Sequence, residues 1–412
     1  MPNQNGKWSG RGANSGYWFT LLHHRRDLPL ETADRITISG YYGFGNLGDE
    51  AILDSIVSSI RDRFGSEEPE VVVLSNAPKK TESEHGVRAV NRWGVLGLIR
   101  TIRKTDVLIS GGGGLFQDRT SSLSLWYYLG IIYLARLLDV PVYVVGQGIG
   151  PVNRRYNEYL LSRALSGVEG FLVRDDRSLK VLKSLGVDGS RVKQGSDLAF
   201  LLDRKREDRE DFLPQPEDDI VAAALRDDVE GRTDVLRAVS SGLEMLHEEY
   251  GVTIVLFSSE SPADRQLNSD LQSYTDAPTK VLDVDHLSPI QLIDMMEDLD
   301  LVIAGRLHTL IFSFISGVPV QGISYDPKMD SLIEEINESY ETPDFSLWHP
   351  EELIEGTEYL SDLKENYENR EKLKSAAGRV GVRMAEKAEQ GMEVTLDWIE
   401  EELNDQSETF RL

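Results

Sequence analysis

The sequence predicts an α/β protein made of two halves, each a parallel sheet with crossover helices. Three observations carry this expectation. Short apolar strand patterns alternate with helix patterns through most of the chain, a charged segment with two prolines interrupts the alternation once, and glycine-rich turns recur just after strand patterns. A chain of 412 residues is ample for two cores.

Residues 1–34 read as a loose tail, first rich in Gly, Asn and Ser and then charged. A first domain is expected over 35–202. Its patterns run ITISGYY, a helix over 49–64, EVVVLS, a helix near 93–103, DVLIS, a helix near 122–138, PVYVVG, a helix near 155–166, GFLVRD and SLKVLKSLG. Residues 203–219 (DRKREDREDFLPQPEDD) form the linker. A second domain over 220–330 repeats the alternation: DIVAAAL, a helix over 231–249, TIVLFSS, the short VLDV, a helix over 288–298, LVIAG, the helix RLHTLIFSFIS stopped by Gly317 and Pro319, and PVQGIS. Residues 331–412 read as amphipathic helices packing across both domains.

Seventy acidic against 44 basic residues give a net charge of -26 and a surface that repels nucleic acid and anionic membrane over most of its area. Acid spread along the whole chain suits a protein hydrated in molar salt, so a halophilic source is expected. The absence of cysteine excludes disulfides, thiol catalysis and cysteine metal sites, and no HxxxH or HExxH pair appears, so no metal is expected. No run of about 18 apolar residues is present to span a bilayer, and a cytoplasmic location is expected.

Three glycine-rich segments follow strand patterns in the first domain: Gly43 to Gly48 (GFGNLG), Gly111 to Gly114 (GGGG) and Gly146 to Gly150 (GQGIG). Together they predict a cleft at one sheet edge, where backbone N–H groups approach an oxygen-rich ligand closely. The first satisfies GxGxxG, but the acidic residue that would grip a ribose is missing after EVVVLS, where Ser75 and Asn76 stand, so NAD binding is the lesser reading. Asp49 reads as a helix cap and Asn46 as a turn residue; alternatively Asn46, Asp49 and Glu50 face the cleft and bind sugar hydroxyls. Gly112, Gly113 and Gln147 belong to the other two loops. Asp118, just after the four glycines, is either a candidate base or the cap of a helix near Ser121. Arg174 closes the strand FLV, where an ion pair with Asp175 or Asp176 is the structural reading and a cleft role the alternative.

The segment Ala304 to Asp330 places Arg306 and His308 in the first turn of one helix and Lys328 just after the next strand. A helix N-terminus with a guanidinium, an imidazole and an ammonium around it is a receptor for a small polyanion. Taken alone, His308 reads first as a satisfied structural histidine and only second as a catalyst.

The set GYYGFGNLGDEAIL, SGGGGLFQD, GQGIGPV, VRDDRS, GRLHTLIFSFISGVPV and GISYDPK, in order over residues 36 to about 330, resembles the polysaccharide pyruvyl transferase family (CsaB type). The resemblance implies two Rossmann-like domains facing across a cleft in the GT-B manner. It also implies transfer of pyruvate from phosphoenolpyruvate to two hydroxyls of a sugar, in a cell-surface polysaccharide or glycan precursor, as a cyclic ketal. On it, Arg306, His308, Lys328 and Arg174 match the family's phosphoenolpyruvate-binding positions, His308 being the catalytic acid. Phosphoenolpyruvate is then the donor substrate and no cofactor is needed; the acceptor sugar is free or carried on a lipid, with peripheral association at the inner membrane face. Two alternatives remain open: a GT-B nucleotide-sugar glycosyltransferase, and a non-catalytic anion- or sugar-binding protein.

Overall fold

A computed structural model describes residues 34–65, 69–119, 121–202, 213, 219–226, 232–258, 262–340, 343–354 and 357–411. The expected tail, except residue 34, and nearly all of the expected linker lie outside the described residues.

The first half contains β1 (Arg35–Tyr42), α1 (Leu47–Phe64), β2 (Glu70–Ser75), α2 (Pro78–His85), β3 (Arg88–Asn91), α3 (Val95–Arg103) and β4 (Val107–Ser110). It continues through β5 (Gly113–Phe116), α4 (Ser122–Leu137), β6 (Val142–Ile149), α5 (Arg155–Leu165), β7 (Gly170–Val173), α6 (Asp176–Ser184) and β8 (Val192–Gln194). Among the described residues the strands form one sheet in the order β3-β2-β1-β4-β6-β7-β8, with β5 beside β6. All pairings are parallel, with Ile38 opposite both Val73 and Ile109.

The second half contains β9 (Ile220–Ala224), α7 (Arg232–Tyr250), β10 (Thr253–Leu256), α8 (Pro262–Tyr274), β11 (Thr279–Val281), α9 (Pro289–Met296) and β12 (Leu301–Ala304). Then come α10 (Leu307–Ser316), β13 (Val320–Ile323), α11 (Pro327–Ser339), β14 (Leu347–Trp348), α12 (Thr357–Glu368) and α13 (Arg370–Arg411). Its sheet, also parallel, runs β11-β10-β9-β12-β13-β14. The strands VLIS, IVAAA and LVIA are buried at every position, because helices cover both faces of each sheet; that is why they read as unbroken apolar runs.

Three apolar clusters follow from this layering. One lies outside the first sheet under α3, α4 and α5, and one outside the second under α7, α8 and α12. The third is shared: Ile52, Leu53 and Ile56 of α1, Leu310 and Ile311 of α10, and Met384, Leu396 and Ile399 of α13 belong to one continuous core joining the two domains. Helix α13, 42 residues and about 60 Å long at 1.5 Å per residue, is the strap across that junction. It packs on α10 in the second domain, accepts a 2.6 Å hydrogen bond from Ser196 Oγ at Met384 O, and takes another at Trp398 O from Tyr143 Oη at 3.2 Å. Arg63 at the end of α1 binds Asp397 and Glu400.

Several elements lacked a sequence signal. Helix α2 (PKKTESEH) is polar with little apolar periodicity, β3 is a four-residue edge strand, and β5 begins in a glycine run that reads as a turn. Helix α1 starts at Leu47 and not at 49, because Asn46 is its cap, accepting from Gly48 N at 3.0 Å and Asp49 N at 3.4 Å.

The crossing of α13 over α10 depends on Gly381, where an added Cβ would run into the backbone carbonyl of Phe314. Backbone cannot rotate aside as a side chain can. Gly381→Ala is expected to cost about 1–3 kcal/mol of stability, read by denaturant unfolding; an unchanged midpoint would show that the strap has slack.

Candidate functional site

Both sheets present their carboxyl ends to the interface between the domains. In the second sheet the strand order turns back between β9 and β12, the position at which parallel α/β sheets hold ligands. Arg226 follows β9, Arg306 follows β12, and Lys328 follows β13. From the first domain come the loop after β1, the loop after β4, the long strand β6 and Arg174 after β7.

His308 is the second residue of α10, and its ring crosses to the other domain. An added Cβ at Gly48, in the first turn of α1, would overlap the imidazole. The same relation recurs twice: a Cβ at Gly114 would overlap the ammonium of Lys328, and one at Gly148 would lie 2.7 Å from Arg174 Nε. Three glycines of the first domain therefore make the notches in which an imidazole, an ammonium and a guanidinium lie, the first two supplied by the second domain. Asp49 belongs to the same nook, with Oδ1 2.9 Å from a Cβ placed at Gly113, whose φ of +101° itself favours glycine.

The electrostatics of this nook are concentrated. Burial lowers the Lys328 pKa, and the neighbouring Arg174 lowers it further, against the pull of Asp326, Asp49 and Asp175. Arg174 is buried and bonded through Nη1 to Asp197 at 2.7 Å, with Asp175 at 3.4 Å from Nε. Its Nη2 is buried without a hydrogen-bond partner. Asp326 caps α11 through Lys328 N at 3.1 Å; burial would raise its pKa, but Lys328, Arg174 and Arg119 hold it below the usual range. The free space among Arg174, Asp197, Leu307 and Lys328 is about 20 Å³, room for about one water.

Arg306 lies at the N-cap of α10 and does not join the notches. Its Nη2 bonds both carboxylate oxygens of the buried Asp264 at 2.8 Å, and its Nε bonds Oδ2 at 3.1 Å. The cluster expected from Ala304 to Asp330 thus divides: His308 and Lys328 reach across to the first domain, while the Arg306 charge is balanced within the second.

On the other side of the loop after β1 is a roomier cleft of about 410 Å³, lined by Phe44, Gly45, Leu47 and Glu50 on one wall and by Ser258, Arg265 and the segment 285–289 on the other. The helical repeat explains the division. Leu47, Glu50 and Asp54 share one face of α1 and look into the cleft, whereas Gly48 and Asp49 face the nook. Arg92, buried behind the loop, holds Phe44 with its guanidinium 5.1 Å from the ring centre and donates to Gly40 O at 2.8 Å. In the cleft floor His85 bonds Asp54 at 2.5 Å and Glu50 at 3.1 Å, and Glu50 also accepts from Gly43 N at 2.9 Å. Burial would lower the His85 pKa, but the two carboxylates raise it to about 9.

Other candidates have structural duties. Asp118 accepts from Asn153 N at 2.8 Å, Arg154 N at 3.0 Å and Asn157 Nδ2 at 2.9 Å, so both its oxygens hold the start of α5; the helix near Ser121 is capped by Ser121 itself. Gln147 accepts from Leu115 N at 3.2 Å and donates to Gly111 O, bracing the glycine run. A Cβ at Gly112 would meet Ile52 and, at 3.0 Å, Gly146 O, so this glycine serves packing. Asp197, Asp264 and His85 had no sequence signal, being separated from their partners by 23, 42 and 31 residues or more. Asp326 had one: an acid before Pro327 at the head of a helix.

Two domains whose parallel sheets face across a cationic cleft define a protein of the GT-B type. Solved structures of that type align along most of the chain. HepE of Anabaena in complex with UDP and glucose gives a TM-score of 0.58 at 12% identity, covering 89% of this chain and 100% of its own. A putative UDP-N-acetylglucosamine 2-epimerase of Listeria monocytogenes gives 0.61 at 13%, covering 90% and 97%. The likeness at such identities is one of fold. The pattern of the polysaccharide pyruvyl transferase family matches residues 46–327, well over half of the sequence, and the chain belongs to that family. The amylovoran biosynthesis protein AmsJ of Erwinia amylovora is 23% identical in an alignment of 256 residues that covers 57% of this chain and 60% of AmsJ.

The His85 site carries a pH signature. A histidine raised from 6.5 to about 9 gives stability that is complete below pH 6.5 and lost as pH climbs through 9. The melting temperature should fall over that window, and His85→Gln should flatten the fall; equal slopes in the two proteins would refute the pairing.

Proposed function

We infer that the protein transfers pyruvate from phosphoenolpyruvate to two hydroxyls of one sugar during polysaccharide assembly, forming a cyclic ketal and releasing phosphate. The observation that carries this reading is the convergence of His308, Lys328 and Arg174 in the glycine notches beside Asp49. Phosphoenolpyruvate bears a carboxylate and a phosphate on one small frame, and the nook offers a guanidinium with a buried unpartnered nitrogen and an ammonium whose charge burial disfavours. A dianion restores the balance for both.

His308 as imidazolium protonates the enol methylene, making a methyl group and a cationic carbon beside the carboxylate. One sugar hydroxyl attacks that carbon and releases its proton. Departure of phosphate then regenerates a cationic carbon, and the second hydroxyl closes the ring with loss of its own proton. Asp49, in the same turn of α1 as Gly48 and beside Gly113, is the carboxylate that takes such a proton. The sugar occupies the roomier cleft, lined by Phe44, Leu47, Ser258 and Arg265. Entry of the donor needs the domains to part, since the nook holds space for little more than a water. This chemistry uses no redox cofactor.

Calorimetric titration in molar KCl tests the donor. Saturable phosphoenolpyruvate binding that weakens at least tenfold in Arg174→Ala is expected; binding of UDP with no response to phosphoenolpyruvate would overturn the reading in favour of a nucleotide-sugar enzyme. With a sugar acceptor, phosphate release followed by 31P NMR should drop about 10²–10⁴-fold in His308→Gln while donor binding persists. Gly48→Ala, which displaces the imidazole without altering its chemistry, should cost about 10²-fold in the same assay.

A further inference from the structure

We propose that the outer face of α3, α4 and α5 docks on an anionic lipid bilayer. These three helices lie side by side over the outer face of the first sheet. Ordinarily such helices show water a polar face, and here large apolar side chains are exposed among the polar ones. Leu123, Trp126, Gly130, Tyr133 and Leu137 follow one another at three- and four-residue steps along α4, and all five are exposed. On α3, Leu96 is 70% exposed beside Val95, and Leu123 on α4 reaches 73%. Tyr156 and Tyr159 extend the patch onto α5, where Tyr156 meets Trp126 edge to face at 6.3 Å.

The aromatic side chains are set as amphipathic anchors. Trp126 donates its indole N–H to Asn157 Oδ1 at 2.7 Å and Trp93 donates to Asn76 Oδ1 at 2.9 Å. Their polar atoms are satisfied within the protein and part of each ring faces outward. That arrangement suits the boundary between headgroups and acyl chains.

Charge selects the occupant. From Arg92 to Leu165 the sequence has nine basic and four acidic residues, in a chain of net charge -26. Of the four acids, Asp118 is buried and Asp106 bonds the backbone of Arg35, which leaves Asp139 and Glu158 exposed against the exposed Arg100, Arg154, Arg155 and Arg163. Exposed apolar groups among exposed arginines match an anionic headgroup layer. A second copy of the chain would bring arginine against arginine. Composition as a whole speaks against anionic surfaces; this face is the local exception. Among the described residues no helix is long and apolar enough to cross a membrane, so the contact is interfacial. Helices α4 and α5 begin next to the glycine segments of the cleft, which places the site beside the lipid surface.

The test is sedimentation of the full chain with phosphatidylcholine vesicles and with vesicles containing 30% phosphatidylglycerol, taking ~30% as a typical anionic fraction. Light scattering of the free protein runs in parallel. The expected result is co-sedimentation with the anionic vesicles only, reduced at least tenfold in Leu96→Glu/Leu123→Glu. Both positions are exposed, so circular dichroism and phosphoenolpyruvate titration should stay unchanged in that variant. A folded wild type that remains in the supernatant with both vesicles overturns the proposal. So does a dimer in solution that the same substitutions dissociate, which would assign the face to a second copy. The donor titration reads the catalytic proposal separately, so either can fail alone.

Discussion

Everything at the centre of this molecule depends on letting two domains touch through charged side chains. Like charges brought together in a tight interface repel, and each loses hydration. Here the arrangement holds because the opposing surface is backbone. Gly48, Gly114 and Gly148 remove the methylene that any other residue would place where His308, Lys328 and Arg174 lie. Backbone dipoles and the N-terminus of α1 then surround the cations, and Asp49, Asp197 and Asp326 supply the counter-charge. A helix N-terminus is unfavourable to a cation and favourable to an anion. In the nook Lys328 and Arg174 are thus held by carboxylates of both domains.

The same reasoning explains why the strap α13 matters to chemistry it never touches. His308 and Lys328 are useful only in register with glycines of the other domain. That register is set by the shared core of α1, α10 and α13, with hydrogen bonds to α13 backbone from Ser196 and Tyr143. A helix packed against both domains along one continuous core holds the two sets of residues in a single relative position.

Much of this was legible in the sequence. The parallel halves, the three glycine segments and the cluster near His308 follow from period, punctuation and charge. Elements lost to inspection, such as α2 and β5, are those whose residues obey tertiary neighbours over local preference. The residues lost were partners distant in sequence. Nothing near Arg306 announces Asp264, and nothing near Glu50 announces His85. Asp118 shows the converse: a carboxylate after four glycines has the pattern of a base, yet its cleft position is what lets it hold α5 in place. One-dimensional pattern identifies where charge gathers, and three-dimensional saturation decides which of the charges remain available.

The first turn of α1 unites these threads. Its successive residues point 100° apart, so Gly48 and Asp49 address the nook while Leu47 and Glu50 address the roomier cleft. A single turn thereby forms the wall between the tight nook of His308 and Lys328 and the roomier cleft. A wall without side-chain bulk at Gly48 is as thin as protein allows. The glycines of GFGNLG, which on their own suggest a dinucleotide, are better explained by this thin wall. Gly43 and Gly45 adopt φ of +76° and +80° to bring the chain round, and Gly48 admits the imidazole. The motif is a device for close approach, and what approaches here is the imidazole of His308 from the facing domain.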